Sequence, residues 1–141
     1  MSPRVAPLIP SARKFALAAV CGIGLLLIAG CGDGGGRPSL GRVHGRVTMD
    51  GQPLAKAAVR FQPKEKGRES FGKTDANGEY ELTYLGEVKG AGLGENTVRI
   101  STQRTNDPKT ETVPAKYNTQ TTLSFEVKAG DNKADFDLLS K

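Results

Sequence analysis

One stretch, Gly72–Leu82, constrains the fold more than any other because it encodes a β-hairpin. It reads Gly-Lys-Thr-Asp-Ala-Asn-Gly-Glu-Tyr-Glu-Leu. The Asp75 side chain can accept backbone N–H groups and start a turn, while Asn77 and Gly78 tolerate a positive φ. Glu79–Leu82 then alternates polar and apolar residues, as a half-buried strand does. We therefore predict a turn that ends at Gly78 with positive φ and leads directly into a strand.

The same period of two occurs on both sides of this hairpin. In the first strand Val43, Gly45, Val47 and Met49 share the inward face, and Arg42, His44, Arg46 and Thr48 share the outward face. The later inward residues are Ala57, Val59, Phe61, Val98, Ile100, Leu123, Phe125, Val127, Ala134, Phe136 and Leu138. Asp50 and Gly51 predict a tight turn after the first strand. Pro53 cannot donate to a central ladder, so we expect the chain to cross over before it pairs again.

The C-terminal third combines one long loop with two strands. Thr102–Gln120 shows little pattern, and long loops in small domains are usually functional or disordered. The strands Thr121–Lys128 and Lys133–Leu138 follow, with a turn expected at Ala129–Asn132. The chain thus contains about seven short strands and no stretch of helical period after the N-terminus. This pattern predicts an all-β fold, a single antiparallel β-sandwich.

The first thirty residues have the features of an export signal. A basic start, with Arg4, Arg13 and Lys14, precedes the apolar stretch Phe15–Ala29, which is short for a membrane span. The sequence Ile-Ala-Gly-Cys that ends at Cys31 resembles the bacterial lipobox. The resemblance implies cleavage between Gly30 and Cys31 and a lipid on the Cys31 thiol. An ordinary secretory signal and an uncleaved anchor are the alternatives.

These features together predict three parts of the chain. We expect a signal peptide in residues 1–30, a glycine-rich tether in residues 31–40 and the folded domain in residues 41–141. Loss of the signal removes three of the 20 basic residues and none of the 15 acidic ones. The remaining excess of two positive charges gives a nucleic-acid partner little support. On this expectation Cys21 would leave with the signal and Cys31 would carry the lipid, so we expect no disulfide, thiol nucleophile or thiolate metal site in the domain.

Two further stretches carry a family likeness. Gly45–Phe61 resembles the opening of carboxypeptidase regulatory-like domains, and Thr74–Leu82 resembles their second signature. Gly90-Ala91 with Gly94 and Val98 resembles their later pattern, so that the likeness covers roughly Gly41–Leu138. Together with the lipobox and Val113–Asn118, the chain resembles small bacterial lipoproteins built from one such domain. The resemblance implies a transthyretin-like sandwich of about seven strands, without catalytic activity.

Few residues suggest chemistry of their own. His44 is the only histidine, and its arginine neighbours on the outward face favour an exposed strand position over a ligand or base role. Asp75–Gly78 faintly resembles a calcium loop, but a hairpin turn accounts for it better. Lys116, Tyr117 and Asn118 are the best candidates for contact with a ligand or partner; packing of Tyr117 at a strand edge is the alternative. We expect no catalytic residues, no metal and no cofactor.

Two functions remain compatible with these features. The first is a lipid-anchored module of the cell envelope with a structural or protein-interaction role. The second is a lipoprotein that binds carbohydrate or another ligand, which rests on the general properties of related folds. Both place the domain on the periplasmic or outer side of a bacterial membrane. The expected partners are the membrane itself, through the lipid, and an envelope protein or glycan.

Overall fold

The alternating residues of the first predicted strand form the longest strand of the domain, β1 (Leu40–Met49). Its odd-numbered residues from Gly41 to Val47 are buried and the intervening Arg42, His44 and Arg46 are exposed, as the period of two predicts. The computed structural model describes residues 38–141. The predicted signal peptide, the Gly30–Cys31 bond and all but the last three residues of the tether lie outside the described residues.

The described residues contain twelve strand segments and two short 3-10 turns. The strands after β1 are β2 (Gln52–Pro53), β3 (Ala58–Pro63), β4 (Ser70–Lys73), β5 (Glu79–Glu81), β6 (Thr83–Leu85), β7 (Val88–Lys89), β8 (Ala91–Gly92), β9 (Gly94–Ser101), β10 (Ser124–Val127), β11 (Gly130–Lys133) and β12 (Phe136–Leu138). The 3-10 turns are Pro108–Thr110 and Ala115–Tyr117. None of the described helical segments is long and apolar enough to cross a membrane.

The strands form two sheets, which confirms the predicted β-sandwich. In the first sheet, β1 pairs antiparallel with β2, β5 and β8 and parallel with β11 and β12. The second sheet has the order β10-β9-β3-β4-β6-β7 and is antiparallel throughout. The sequence pattern does not reveal the parallel pairs, because an alternating strand looks the same in either direction.

The turn after β1 forms as predicted, but the next step of the chain does not. Asp50 and Gly51 have φ values of 50° and 83° and connect β1 to β2 as a two-residue hairpin. The expectation that the chain crosses over before pairing again is wrong, since Pro53 lies opposite Thr48. A proline is tolerated there because β2 is a short edge strand, and the Leu54 N–H donates to the Val47 carbonyl at 2.9 Å in its place. The chain crosses to the second sheet only afterwards.

The predicted turn at Ala129–Asn132 is also wrong in its extent. Gly130–Lys133 is strand β11, in parallel register with Gly41–His44. The strands that this turn was expected to join as neighbours lie in different sheets, with β10 beside β9 and β12 beside β1. Asn132 holds the crossing in place, because its side chain accepts from the Lys128 N–H at 2.9 Å and donates to the Arg42 carbonyl at 2.9 Å. The polar residues that suggested an exposed turn therefore stabilise a crossover between sheets.

The inward faces of the two sheets enclose one hydrophobic core. Its completely buried members are Val43, Val47, Leu82 and Ala91 in and beside the first sheet, and Ala57, Val59, Phe61, Val98 and Ile100 in and beside the second sheet. Phe61 lies at its centre and contacts Phe125 and Phe136, with ring centroids 5.8 and 6.2 Å apart. The first pair is tilted and the second is edge-on; together they join strands of both sheets and add to the free energy of area burial.

The direction of β1 gives the sandwich two distinct ends. The chain enters at Leu40, which pairs with Gly92, and the loop of residues 64–69 lies at this entry end beside Pro38 and Ser39. β1 runs for 10 residues, which at about 3.3 Å per residue carries the chain about 30 Å away. At this far end lie the Asp50–Gly51 hairpin, the turn before β5 and the start of the loop Thr102–Gln120.

Candidate functional site

The outward face of the first sheet carries charges of both signs, and most of them are paired. The Arg42 guanidinium lies 2.9 Å from Glu81 and 3.8 Å from Asp131. A second basic contact to Glu81 comes from Lys89 at 3.2 Å, and Lys133 lies 3.6 Å from Asp135. This alternation is what cross-strand neighbours need in order to avoid repulsion. The first sheet therefore presents a face that is balanced within the domain itself.

The outward face of the second sheet is arranged differently. Arg60 and Arg99 are direct cross-strand partners on β3 and β9, so their side chains project from the same face as neighbours. Phe71 is the partner of Arg60 on its other side and is 44% exposed. Lys73 follows on β4, opposite Ala58. We call the surface formed by Arg60, Phe71, Lys73 and Arg99 the arginine face.

The arginine face has only one acidic contact among the ion pairs of residues 38–141. Glu69 lies 3.2 Å from Arg60, in a pair whose arginine side chain is 52% exposed. The Arg60 guanidinium carbon also lies 5.8 Å from the centre of the Phe71 ring, within the range of a cation–π contact. Arg99 is exposed and takes part in none of the described ion pairs. The face therefore retains positive charge that the described residues do not neutralise.

A shallow depression of about 530 Å³ adjoins the two arginines. The short side chains of Ala58 and Ser101, which are cross-strand partners, leave room between the arginines and the long loop. The polar residues that line the rest of it are Gln103, Thr105, Asn106, Asn118 and Thr119. The depression thus combines guanidinium groups with amides and hydroxyls, groups that can donate or accept hydrogen bonds.

A partly buried carboxylate organises the long loop beside this depression. Glu111 accepts hydrogen bonds from the Ser101 hydroxyl, from the Thr102 N–H at 2.9 Å and from the Val113 N–H at 2.9 Å. Burial alone would raise the pKa of Glu111, but these hydrogen bonds favour the carboxylate and lower the pKa overall. Val113 is itself buried. The loop is therefore held to Ser101 and Thr102 through Glu111, and to the core through Val113. The sequence left the order of this loop open, and the structure shows it tied to β9.

The predicted contact residues Lys116, Tyr117 and Asn118 have three different surroundings. Tyr117 packs against the core, and its hydroxyl accepts from the Leu139 N–H at 3.1 Å. Asn118 is 8% exposed, and its side chain donates to the Val113 carbonyl at 3.1 Å. Lys116 is exposed, with its ammonium group 5.1 Å from the centre of the Tyr117 ring. These contacts fit the packing alternative for Tyr117, while a role of the three in partner binding stays a prediction.

The remaining candidates lie in the first sheet or in the turn that leads into it. His44 is exposed between Arg42 and Arg46 along β1 and lines a depression with Glu79, Lys133 and Asp135. Within residues 38–141, no group of three or more His, Cys, Asp or Glu side chains is placed to hold a metal. The Asp75 carboxylate serves the hairpin instead, since one of its oxygens accepts from the Asn77 N–H at 2.8 Å and the Glu79 N–H at 2.9 Å.

Sequence reasoning placed Arg60 on the outward side of its strand but missed the arginine face. It left Phe71 unassigned and did not single out Arg99. The strand period alone indicates that Arg60 and Arg99 point outward. It cannot show that they are neighbours, because the register between β3 and β9 is set by contacts between segments far apart in the chain.

The fold and this surface define an all-β, two-sheet sandwich with one face on which positive charges outnumber their acidic partners. No protein-family model matches the chain, and no curated protein matches it either. Among solved structures it is similar to a DUF3823 family protein from Parabacteroides merdae ATCC 43184, with 17% sequence identity and a TM-score of 0.42. The match covers 72% of this chain and 46% of that chain, so this chain spans less than half of that protein's length.

Proposed function

We propose that this chain is a lipid-anchored, non-catalytic β-sandwich module of a bacterial cell envelope, with a structural or protein-interaction role. The observation that carries the proposal is the direction in which the sandwich extends from the start of β1. The domain begins at Leu40, shortly after the lipobox-like Gly30–Cys31 sequence, and β1 then leads away from that point. A lipid on Cys31 would therefore hold the entry end near a bilayer and present the far end outward.

The far end has the features of a presenting surface. It carries the long loop Thr102–Gln120, in which all residues from Gln103 to Lys109 are exposed. The Glu111 carboxylate accepts hydrogen bonds from Ser101 and Thr102, and these bonds hold the two ends of the exposed segment together. Loops held on a rigid scaffold are the usual location of binding residues. We therefore place the partner of the module at the far end.

We also propose that the domain is related to carboxypeptidase regulatory-like domains. The two stretches that carry the resemblance are neighbours in the fold, which supports this relation. Gly45–Phe61 covers half of β1, all of β2 and most of β3, whereas Thr74–Leu82 supplies the turn and β5. The Val47 N–H donates to the Gly78 carbonyl at 2.8 Å, which joins the two stretches directly.

Lipid anchoring is tested by metabolic labelling with a radioactive or alkyne-bearing fatty acid. Cys31→Ser should abolish labelling and leave an uncut precursor, whereas the wild-type chain should be labelled and shortened. Cys21→Ser is the matched control, since it removes the chain's other thiol from the expected signal peptide and should leave labelling unchanged. Labelling that persists in Cys31→Ser, or is lost in Cys21→Ser, would contradict the assignment.

Presentation at the far end is tested by photo-crosslinking in cells. A photoreactive amino acid at Asn106, in the exposed loop, should capture an envelope protein, whereas the same group at Lys66, at the entry end, should capture none or a different one. Both positions are exposed, so accessibility does not distinguish them. Identical crosslinked proteins from the two positions would contradict a partner site at the far end.

The second candidate function is a lipoprotein that binds carbohydrate or another ligand. The specific observation in its favour is the arginine face, where Arg60 and Arg99 are neighbours beside an exposed aromatic ring. Crosslinking at Asn106 also bears on this alternative, because Asn106 lines the adjoining depression. Capture of a glycan without protein at this position would favour the ligand-binding function over the protein-interaction function.

A further inference from the structure

We propose that the arginine face binds a carboxylated glycan, a sugar chain that contains uronic acid residues. The inference rests on the ligand-binding alternative under the proposed function and is independent of lipid anchoring. It assigns the recognition of carboxylate groups to Arg60 and Arg99, and the contact with a sugar ring to Phe71. The depression beside Ala58 and Ser101 would hold the next part of the chain.

The first argument is electrostatic. Like charges that face each other across neighbouring strands destabilise a sheet. The outward face of the first sheet avoids this arrangement, because Arg42 is placed between Glu81 and Asp131. The second sheet instead places Arg60 directly opposite Arg99, with Glu69 as the only acidic partner in the described ion pairs. An anionic ligand would supply the missing negative charge.

The second argument concerns the type of cation. A guanidinium group is planar and binds a carboxylate through two parallel hydrogen bonds, which a lysine ammonium group cannot do. Arg60 and Arg99 side chains begin about 5 Å apart, the usual separation of cross-strand neighbours. That spacing suits one carboxylate shared between them or two carboxylates on a flexible chain. The site is therefore matched to carboxylate groups in both charge and geometry.

The third argument separates a glycan from an acidic peptide. An extended peptide can bind by adding a strand to the exposed edge of a sheet, or an acidic one through its side chains to an arginine cluster. The arginine face is centred on β3, which lies inside the order β10-β9-β3-β4 and offers no free backbone edge. What it offers is side chains, namely the exposed Phe71 ring and the amides and hydroxyls around the depression. Rings and hydroxyl groups are the features of a sugar that such side chains can contact.

The test measures binding by calorimetry with the full-length protein purified in detergent. The probes are short oligomers of galacturonate, glucuronate and mannuronate, their methyl esters, and a poly-glutamate peptide of equal charge. We expect at least one free-acid glycan to bind, its ester to bind much more weakly, and poly-glutamate to bind more weakly as well. Tighter binding of poly-glutamate, or no binding of any uronate oligomer, would overturn the proposal.

Three substitutions locate the site. Arg99→Gln should weaken binding by about tenfold or more, since it removes a charge-assisted hydrogen-bonding group. Phe71→Ala should weaken binding of the glycan without changing its dependence on salt. Lys66→Gln is the matched control, because it removes one exposed positive charge at the entry end and should leave the affinity unchanged. An equal loss in Arg99→Gln and Lys66→Gln would show that only the net charge matters and would overturn the site.

A stability measurement distinguishes a binding role of Arg99 from a structural one. If Arg99 is kept for a ligand, Arg99→Gln relieves its repulsion with Arg60, and the urea midpoint should stay the same or rise while affinity falls. A lower midpoint together with lower affinity would point to a structural role and count against the proposal. Binding by the Cys31→Ser protein should equal that of the wild type. The binding result can therefore be interpreted even if the chain is not lipid-anchored.

Discussion

Replacing Gly78 by alanine should destabilise the domain strongly, because two separate costs meet at this residue. Gly78 has a φ of 77°, a conformation that costs a residue with a β-carbon about 1–2 kcal/mol. A β-carbon there would also lie 2.5 Å from the Val47 carbonyl oxygen. The obstacle is backbone, so the turn has to move away from β1. That movement stretches the 2.8 Å hydrogen bond from the Val47 N–H to the Gly78 carbonyl.

The two costs add to a measurable loss. A strained or broken backbone hydrogen bond in a buried position costs about 1–3 kcal/mol beyond the cost of the positive φ. We therefore expect Gly78→Ala to lower the free energy of unfolding by about 2–5 kcal/mol. For a small domain the slope in urea is about 1–3 kcal/mol per molar, so the midpoint should fall by about 1 M or more.

Two controls separate the two costs. Gly51→Ala has the same strain without the collision, since Gly51 has a φ of 83° and no other atom lies within 4 Å of where its β-carbon would be. It should cost only about 1–2 kcal/mol. Ala76→Ser changes an exposed residue of the same turn that has no positive φ, and should leave the midpoint nearly unchanged. Equal urea midpoints for Gly78→Ala and Gly51→Ala would refute the reasoning from the Val47 carbonyl.

Three further changes test the loop and the core. The folded-state pKa of Glu111 lies below the ordinary 4.5, so its carboxylate stabilises the fold above that pH and loses this effect as pH falls through the folded value. Glu111→Gln should therefore lower the urea midpoint at about pH 7 but much less at about pH 3. An equal effect at both pH values would contradict the carboxylate's role. Tyr80→Phe removes a hydroxyl that donates to the Ala134 carbonyl at 2.6 Å, and thermal or urea unfolding should show a loss of about 1–3 kcal/mol. Phe61→Ala empties the centre of the core and should cost about 3–5 kcal/mol, enough for circular dichroism to show partial unfolding at room temperature; a fully folded variant with an unchanged midpoint would place the core elsewhere.

The two proposals use different parts of the same sandwich. Lipid anchoring concerns the entry end, where the chain reaches Leu40, and glycan binding concerns the outward face of the second sheet. The depression beside the arginine face includes Gln103 and Asn106, so the candidate glycan site reaches toward the far end. A module attached at its entry end would leave the arginine face accessible from the side.

The sequence by itself determined the local structure of this protein. The alternation of Val43 and Val47 with Arg42 and Arg46 defined both faces of β1, because a strand turns successive side chains to opposite sides. The order Asp-Ala-Asn-Gly indicated the turn that ends at Gly78, since each of these residues acts within four positions along the chain. Period and turn chemistry are local properties, and together they were sufficient for the β-sandwich class.

The tertiary structure alone decided which strands are neighbours. It placed β11 and β12 parallel to β1, used Asn132 in a crossover, and set Arg99 beside Arg60. Each of these features joins segments that are far apart in the chain, and an alternating strand carries no mark of its partner or direction. Register is set when the whole core closes around residues such as Phe61, because a slip of one residue would turn every buried side chain outward. The candidate binding surface depends on that register, and only the closed core of the folded domain defines it.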